Sequence, residues 1–341
     1  MSKKKYGIGI FGTGWVSGEH IKAYISNPSC EIKALASINK ESAQAKKELF
    51  NLDCDILDTY DQLLGRDDIN IISICTAPLN RADEIIKCCK AGKHFFAEIQ
   101  ICNNLDELKA IKSAYKKANV KGINSFVLQH NPMIISIKSL IEKGGLGNLF
   151  FIETDYWHEI GPWYCGWWWA KQKKFSGSTT LKGGVHALAT FLALGGEVIE
   201  VYAHSYRGHR KDFEYEPTYT SIVKFKNGAI GRTGGSFEIE CPYIFNIIIH
   251  GSKGSVVNDK FYSTELFKGQ ENWQIFSSTK PDSGHVEHHP FKAMVNTFID
   301  YIDGKENAED INIDFAIKVH ELALAIDRSA ESGKVIKLPL L

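Results

Sequence analysis

From Tyr6 to Ser125, short apolar runs alternate with longer amphipathic ones. Tyr6–Phe11 reads as a compact strand, and GTGWVSGEH (12–20) turns it into a helix that closes near Asn27-Pro28. Glu31–Ser37 predicts the next strand. Asn39 can cap a helix through Leu49-Phe50, with Glu41 and Glu48 on its polar side. Ile69–Cys75 is continuously apolar, Arg81–Ala91 is helical and closed by Gly92, and His94–Ala97 is a further strand. Asn104 then caps a helix to about Lys117, and Val120–Ser125 returns to the sheet. Strands separated by helices predict βαβ units, hence a doubly wound α/β domain with a parallel sheet covered on both faces.

The pattern changes at Gly147. Leu149–Tyr156 is a long strand, followed by the aromatic loop WHEIGPWYCGWWWAKQKKF (157–175) and a helix from about Thr180 to Leu194. Strands are then predicted at Val198–Ser205, Thr218–Phe225, Ala229–Glu238, Tyr243–His250 and Ser255–Asn258. Asn227-Gly228 reads as a type I′ hairpin turn. Helices over about Pro290–Asp303 and Ile313–Ser332 finish the chain. Grouped strands with few helices predict an α+β domain built on a large, mainly antiparallel sheet. The expected division is a dinucleotide-binding domain over 1–126 and a substrate-binding and oligomerisation domain over 127–341. It allows the C-terminal helix to pack back on the first domain.

At 341 residues the chain exceeds one typical core, in keeping with two domains. Its 40 basic residues balance 40 acidic ones, which argues against nucleic acid as a partner. Lys3-Lys4-Lys5 precedes an apolar run too short for a signal peptide or membrane helix, so the expectation is a cytoplasmic protein with no membrane partner. The eight cysteines form no CxxC pair and read as reduced thiols. His288-His289 resembles a metal pair that nothing else completes, so no metal is expected.

Gly12-Thr13-Gly14-Trp15-Val16-Ser17 matches G-x-G-x-x-G with Ser17 in the third glycine position. Gly12 permits the tight turn. Gly14 lets backbone approach a pyrophosphate at the helix start, where Trp15 and Val16 bring free N–H groups. At the end of the second strand an acid would grip the ribose 2′-hydroxyl, but Ser37 stands there, followed by Asn39 and Lys40. Lys40 could reach a 2′-phosphate, so the cofactor is read as NAD or NADP.

GIFGTG, SICTAPLNRADEIIKCCKAGKHFFAE (73–98), GGLGNLFFIE (144–153), KGGVHAL (182–188) and HGSKGSVV (250–257) together resemble the glucose-fructose oxidoreductase, inositol dehydrogenase and rhizopine-catabolism family. The resemblance runs nearly end to end. It implies a Rossmann domain, an open-faced sheet used for homodimer or homotetramer contacts, and hydride transfer between NAD(P) and a hydroxyl carbon of a sugar, glycoside or cyclitol. It also places Thr76, Pro78 and Glu98 on the cofactor side, and His130 on the substrate side.

Two departures stand out. Where most members read Glu-Lys-Pro, this chain has Glu98-Ile99-Gln100. Where most read Asp-x-x-x-His, it has Lys182-Gly183-Gly184-Val185-His186. The ammonium lost from the strand tip is regained on the helix, four residues before the histidine. His186 is read as the acid/base. Lys182 either stabilises the developing alkoxide or, if desolvated, acts as the base itself. The blander alternative is a solvated lysine beside a core histidine.

Five tryptophans lie within 157–169, and such faces stack on sugar rings. Tyr156, Trp157, His158 and Trp163 are therefore read as substrate-binding. An oxidation of C3 of a hexoside fits this set. The alternatives are a dinucleotide- or sugar-sensing regulator without turnover, and a redox-neutral glycoside-cleaving enzyme with retained NAD.

Overall fold

The computed structural model describes residues 5–278, 280–281 and 289–341. His288 lies outside them. The chain divides into two compact units, Met1–Val127 with Pro290–Ile317, and Leu128–His289 with Lys318–Leu341.

Among the described residues of the first unit, six strands form one sheet: β1 (Tyr6–Phe11), β2 (Cys30–Ala36), β3 (Asp55–Leu57), β4 (Ile71–Ile74), β5 (His94–Ala97) and β6 (Gly122–Asn124). Their order is β3-β2-β1-β4-β5-β6 with every pair parallel. Ile8, Ile10, Ile71, Ile72, Ile74, Phe95 and Phe96 are fully buried, which is why these strands read as unbroken apolar runs. Asn39 and Asn104 cap their helices as expected, accepting from Ser42 N and Glu107 N at 3.0 and 2.9 Å. The segment Pro290–Ile317 joins this unit from outside the expected 1–126 span. Its helix Phe291–Ile302 buries Phe291, Met294, Val295 and Phe298 and packs beside the helix Ser17–Ile25. Tyr6 Oη donates to Asp303 Oδ1 at 2.6 Å, and Asn124 N donates to Ile311 O at 2.8 Å.

In the second unit the described strands are β7 (Leu149–Trp157), β8 (Val198–Tyr206), β9 (Thr218–Phe225), β10 (Ile230–Ser236), β11 (Ile244–Gly251), β12 (Gly254–Val257), β13 (Lys260–Ser263), β14 (Gln274–Ile275) and β15 (Ile336–Lys337). They form one sheet in the order β14-β13-β12-β11-β7-β10-β9-β8-β15. Only the β7–β10 pair among them is parallel. One face is covered by the helix Val185–Gly195, onto which Thr154 Oγ1 donates at Ala187 O (2.9 Å). Ile222, Ile230 and Ile244 are exposed, and the strand register puts them on the other face.

Two local expectations are corrected. Asn227-Gly228 is not a type I′ turn, because only Gly228 has a positive φ (+92°). Gly228 N bonds Phe225 O and Phe225 N bonds Ala229 O, so the loop has three residues, a turn followed by a left-handed glycine. The predicted helix from Thr180 is not uniform either. Thr180–Gly184 is a π-helical turn that leads into the α-helix Val185–Gly195.

Candidate active site

In the first unit the turn after β1 is shaped for a dinucleotide. Gly12 has φ +89°, and a Cβ there would lie 2.7 Å from Thr76 N, so backbone passes where a side chain has no room. A Cβ on Gly14 would meet nothing within 4 Å, which leaves open space above the turn. No side chain caps the helix Ser17–Ile25, whose N-cap is Val16. Trp15 is exposed. These residues fit a bound pyrophosphate at a helix N-terminus. Ser17 holds the turn by donating to Gly14 O at 2.6 Å. At the end of β2, Ser37 Oγ accepts from Asn39 N at 3.3 Å.

Past β4, Thr76 Oγ1 donates to Glu84 Oε2 at 2.7 Å, and Pro78 opens a 3₁₀ turn. Arg81 is fully buried and donates to the carbonyls of Thr76 and Glu98. Glu98 Oε1 bonds His20 Nε2 at 2.8 Å, while His20 Nδ1 bonds Ser73 Oγ at 2.7 Å. The Ile99–Gln100 peptide is cis.

In the second unit the chemistry gathers on the π-helical turn and the end of β7. Lys182 is 8% exposed, an unusual place for an ammonium. Its Nζ sits 4.1 Å from the centroid of Trp169 and 5.1 Å from that of Tyr164. Among the described residues no carboxylate or carbonyl pairs with it. Burial pushes the Lys182 ammonium down to about 7. The His186 ring stacks on Tyr156 at 5.9 Å, and Tyr156 Oη bonds His158 Nδ1 at 3.1 Å. Tyr243 lies against both, at 5.4 and 5.2 Å, and Trp163 lies 5.9 Å from His158.

The turn is wedged rather than free. A Cβ on Gly183 would stand 2.7 Å from Tyr156, and one on Gly184 2.7 Å from Tyr219 Oη. Ser178 Oγ donates to Asp327 Oδ2 at 2.6 Å, and Thr180 Oγ1 donates to the other carboxylate oxygen.

Residues 6–126 match an oxidoreductase family with an NAD-binding Rossmann fold, and residues 134–257 match the GFO/IDH/MocA C-terminal domain. The chain belongs to this family. It is an NAD-binding oxidoreductase. It is 23% identical over 287 residues to the levoglucosan dehydrogenase of Pseudarthrobacter phenanthrenivorans (73% of this chain, 72% of that one). It is 22% identical over 267 residues to the myo-inositol 2-dehydrogenase of Thermotoga maritima (76% and 77%). Among solved structures, levoglucosan dehydrogenase in complex with NADH and levoglucosan superposes with a TM-score of 0.88 at 19% identity, covering 99% of this chain and 100% of that one. No helix among the described residues is long and apolar enough to cross a membrane.

Within this GFO/IDH/MocA chain, Tyr156, His158, Trp163 and His186 form one aromatic cluster. Trp157 does not join it. Strand alternation turns Trp157 to the opposite face of the sheet, where it pairs across β7 and β11 with Ile244. His130 ends a 3₁₀ turn before the helix Pro132–Glu142. Three neighbours escaped the sequence reading, Tyr164 beside the ammonium, Asp327 behind the turn and His20 behind Glu98, while Trp169 entered it only as one of five tryptophans able to stack on a sugar. Trp169 carried no distinguishing mark within the run WWW, since only the fold shows which ring reaches Lys182.

Proposed function

We propose that the chain oxidises a secondary hydroxyl of a sugar, glycoside or cyclitol, with Lys182 as the acid/base and His186 beside the reacting hydroxyl. The observation that carries this reading is the burial of Lys182 in an aromatic box, without a carboxylate partner among the described residues. A desolvated amine with a pKa near neutrality is what a proton acceptor at pH 7 requires, and a structural lysine gains nothing from it. Bound NAD would supply the hydride acceptor for the carbinol carbon. The hydroxyl proton passes to the neutral Nζ of Lys182, leaving the carbonyl product and an ammonium that donates in the reverse direction. In this reading the Lys182 ammonium also stabilises the alkoxide in the reverse direction. His186, steadied against Tyr156, supplies a second polar contact to the same hydroxyl or its neighbour. His158 and Trp163 offer a polar edge and an apolar ring face of the kind a sugar uses. The sugar and cyclitol dehydrogenases among the relatives support the substrate class.

The test is nicotinamide absorbance with NAD and a panel of hexoses, cyclitols, anhydrosugars and glycosides. Wild type should reduce NAD with at least one of them. Lys182→Met should lose roughly 10²–10⁴-fold in kcat while still binding NAD by calorimetry. A Lys182→Met variant within a few-fold of wild type, or no reduction across the panel, overturns the reading.

A further inference from the structure

We propose that Asp58, on the segment leaving β3, makes this chain select NAD over the 2′-phosphorylated dinucleotide. An open depression of about 510 Å³ is lined by Ser37, Ile38, Asn39, Lys40, Glu41 and Asp58. It lies at the carboxyl ends of β2 and β3, beside the glycine turn. Gly12 N donates to Ala36 O at 2.8 Å, and Thr13 Oγ1 bonds Ser42 Oγ on the helix that follows the depression. A dinucleotide whose pyrophosphate rests on the glycine turn puts its adenosine ribose here.

The end of β2 carries Ser37 and no acid, so selection by the usual carboxylate is absent. Lys40 alone would favour a 2′-phosphate, but its Nζ is ion-paired with Asp58 Oδ1. Glu41 adds a second carboxylate, so the lining holds one cation and two anions. A 2′-hydroxyl can donate to such a rim. A 2′-phosphate must displace Asp58 from Lys40 and then sit beside two carboxylates. The selecting charge is thus supplied from β3 instead of β2.

Calorimetric titration of the full-length protein with NAD and with NADP, at low salt, tests this. Because it reads binding alone, it stands or falls apart from the hydride-transfer proposal. Wild type should bind NAD more tightly than NADP. Asp58→Asn, which frees Lys40, should tighten NADP about fivefold with a much smaller change for NAD, and added salt should shrink the gain. Adding Lys40→Ala to that variant should remove the gain. Wild type binding NADP as tightly as NAD overturns the proposal. So does an Asp58→Asn variant with unchanged NADP affinity, or a gain that survives the loss of Lys40.

Discussion

An ammonium taken from water into an aromatic box loses its hydration, and Lys182 has two ring faces in exchange. Those faces attract the charged form, yet burial wins and holds the group down to about 7 from an ordinary 10.5. The consequence for stability has a definite sign. Between those two pH values the unfolded chain holds a proton that the folded chain does not, so this group's contribution becomes more favourable as pH rises through the window. Below about 7 its cost is fully present. Lys182→Met should therefore be more stable than wild type at pH 7, by on the order of a few kcal/mol and with a higher melting temperature, and the margin should fade towards pH 10. Thermal melts of both proteins at the two pH values decide it. A variant less stable at pH 7, or a gain that does not depend on pH, would count against a desolvated lysine. The sequence marked Lys182 and His186 through their place in KGGVHAL. It could not mark Tyr164 or Trp169, because which aromatic residue of a loop reaches the ammonium depends on how the loop folds.

At the scale of elements, the spacing of Lys182 and His186 predicted an ordinary helix, and the structure has a π-helical turn at Lys182 leading into the α-helix that carries His186. The reason lies far away in sequence. Tyr156 and Phe237 crowd Gly183, Tyr219 crowds Gly184, and Asp327 takes the hydroxyls of Ser178 and Thr180. Gly183→Ala would set a methyl group 2.7 Å from Tyr156 and 2.8 Å from Phe237. It should cost roughly 1–3 kcal/mol in a denaturant titration and lower kcat/KM by displacing Lys182. Unchanged stability and activity would show that the turn is not wedged. The strands of the first sheet were legible because central parallel strands are apolar throughout. The short strands β3, β13, β14 and β15 are too brief to carry a period. The hairpin at Asn227-Gly228 was placed correctly but mistyped, since the loop gained one residue that the dipeptide alone does not reveal.

For the whole molecule, the alternation of strands and helices up to Ser125 was enough to expect the doubly wound sheet, and the grouped strands after Gly147 the second one. The return of Pro290–Ile317 to the first unit was not legible, because an amphipathic helix declares that it has a buried face without naming what covers it. The tight turn after β1, with Gly12 at positive φ, was legible in the glycine spacing. The depression beside it was not, since Asp58 meets Lys40 only after β2 and β3 pair. Lys182 carries the proposed chemistry, and the most direct measurement is the pH dependence of kcat/KM for NAD reduction by wild type with any active substrate from the panel, beside the same profile for Lys182→Arg. The prediction is a wild-type rate that rises with pH through about 7 to a plateau, as the amine loses its proton. In Lys182→Arg, which keeps the charge but cannot release it, that limb should vanish along with most of the rate. A limb near 7 that persists in Lys182→Arg would contradict the account and move the proton to His186.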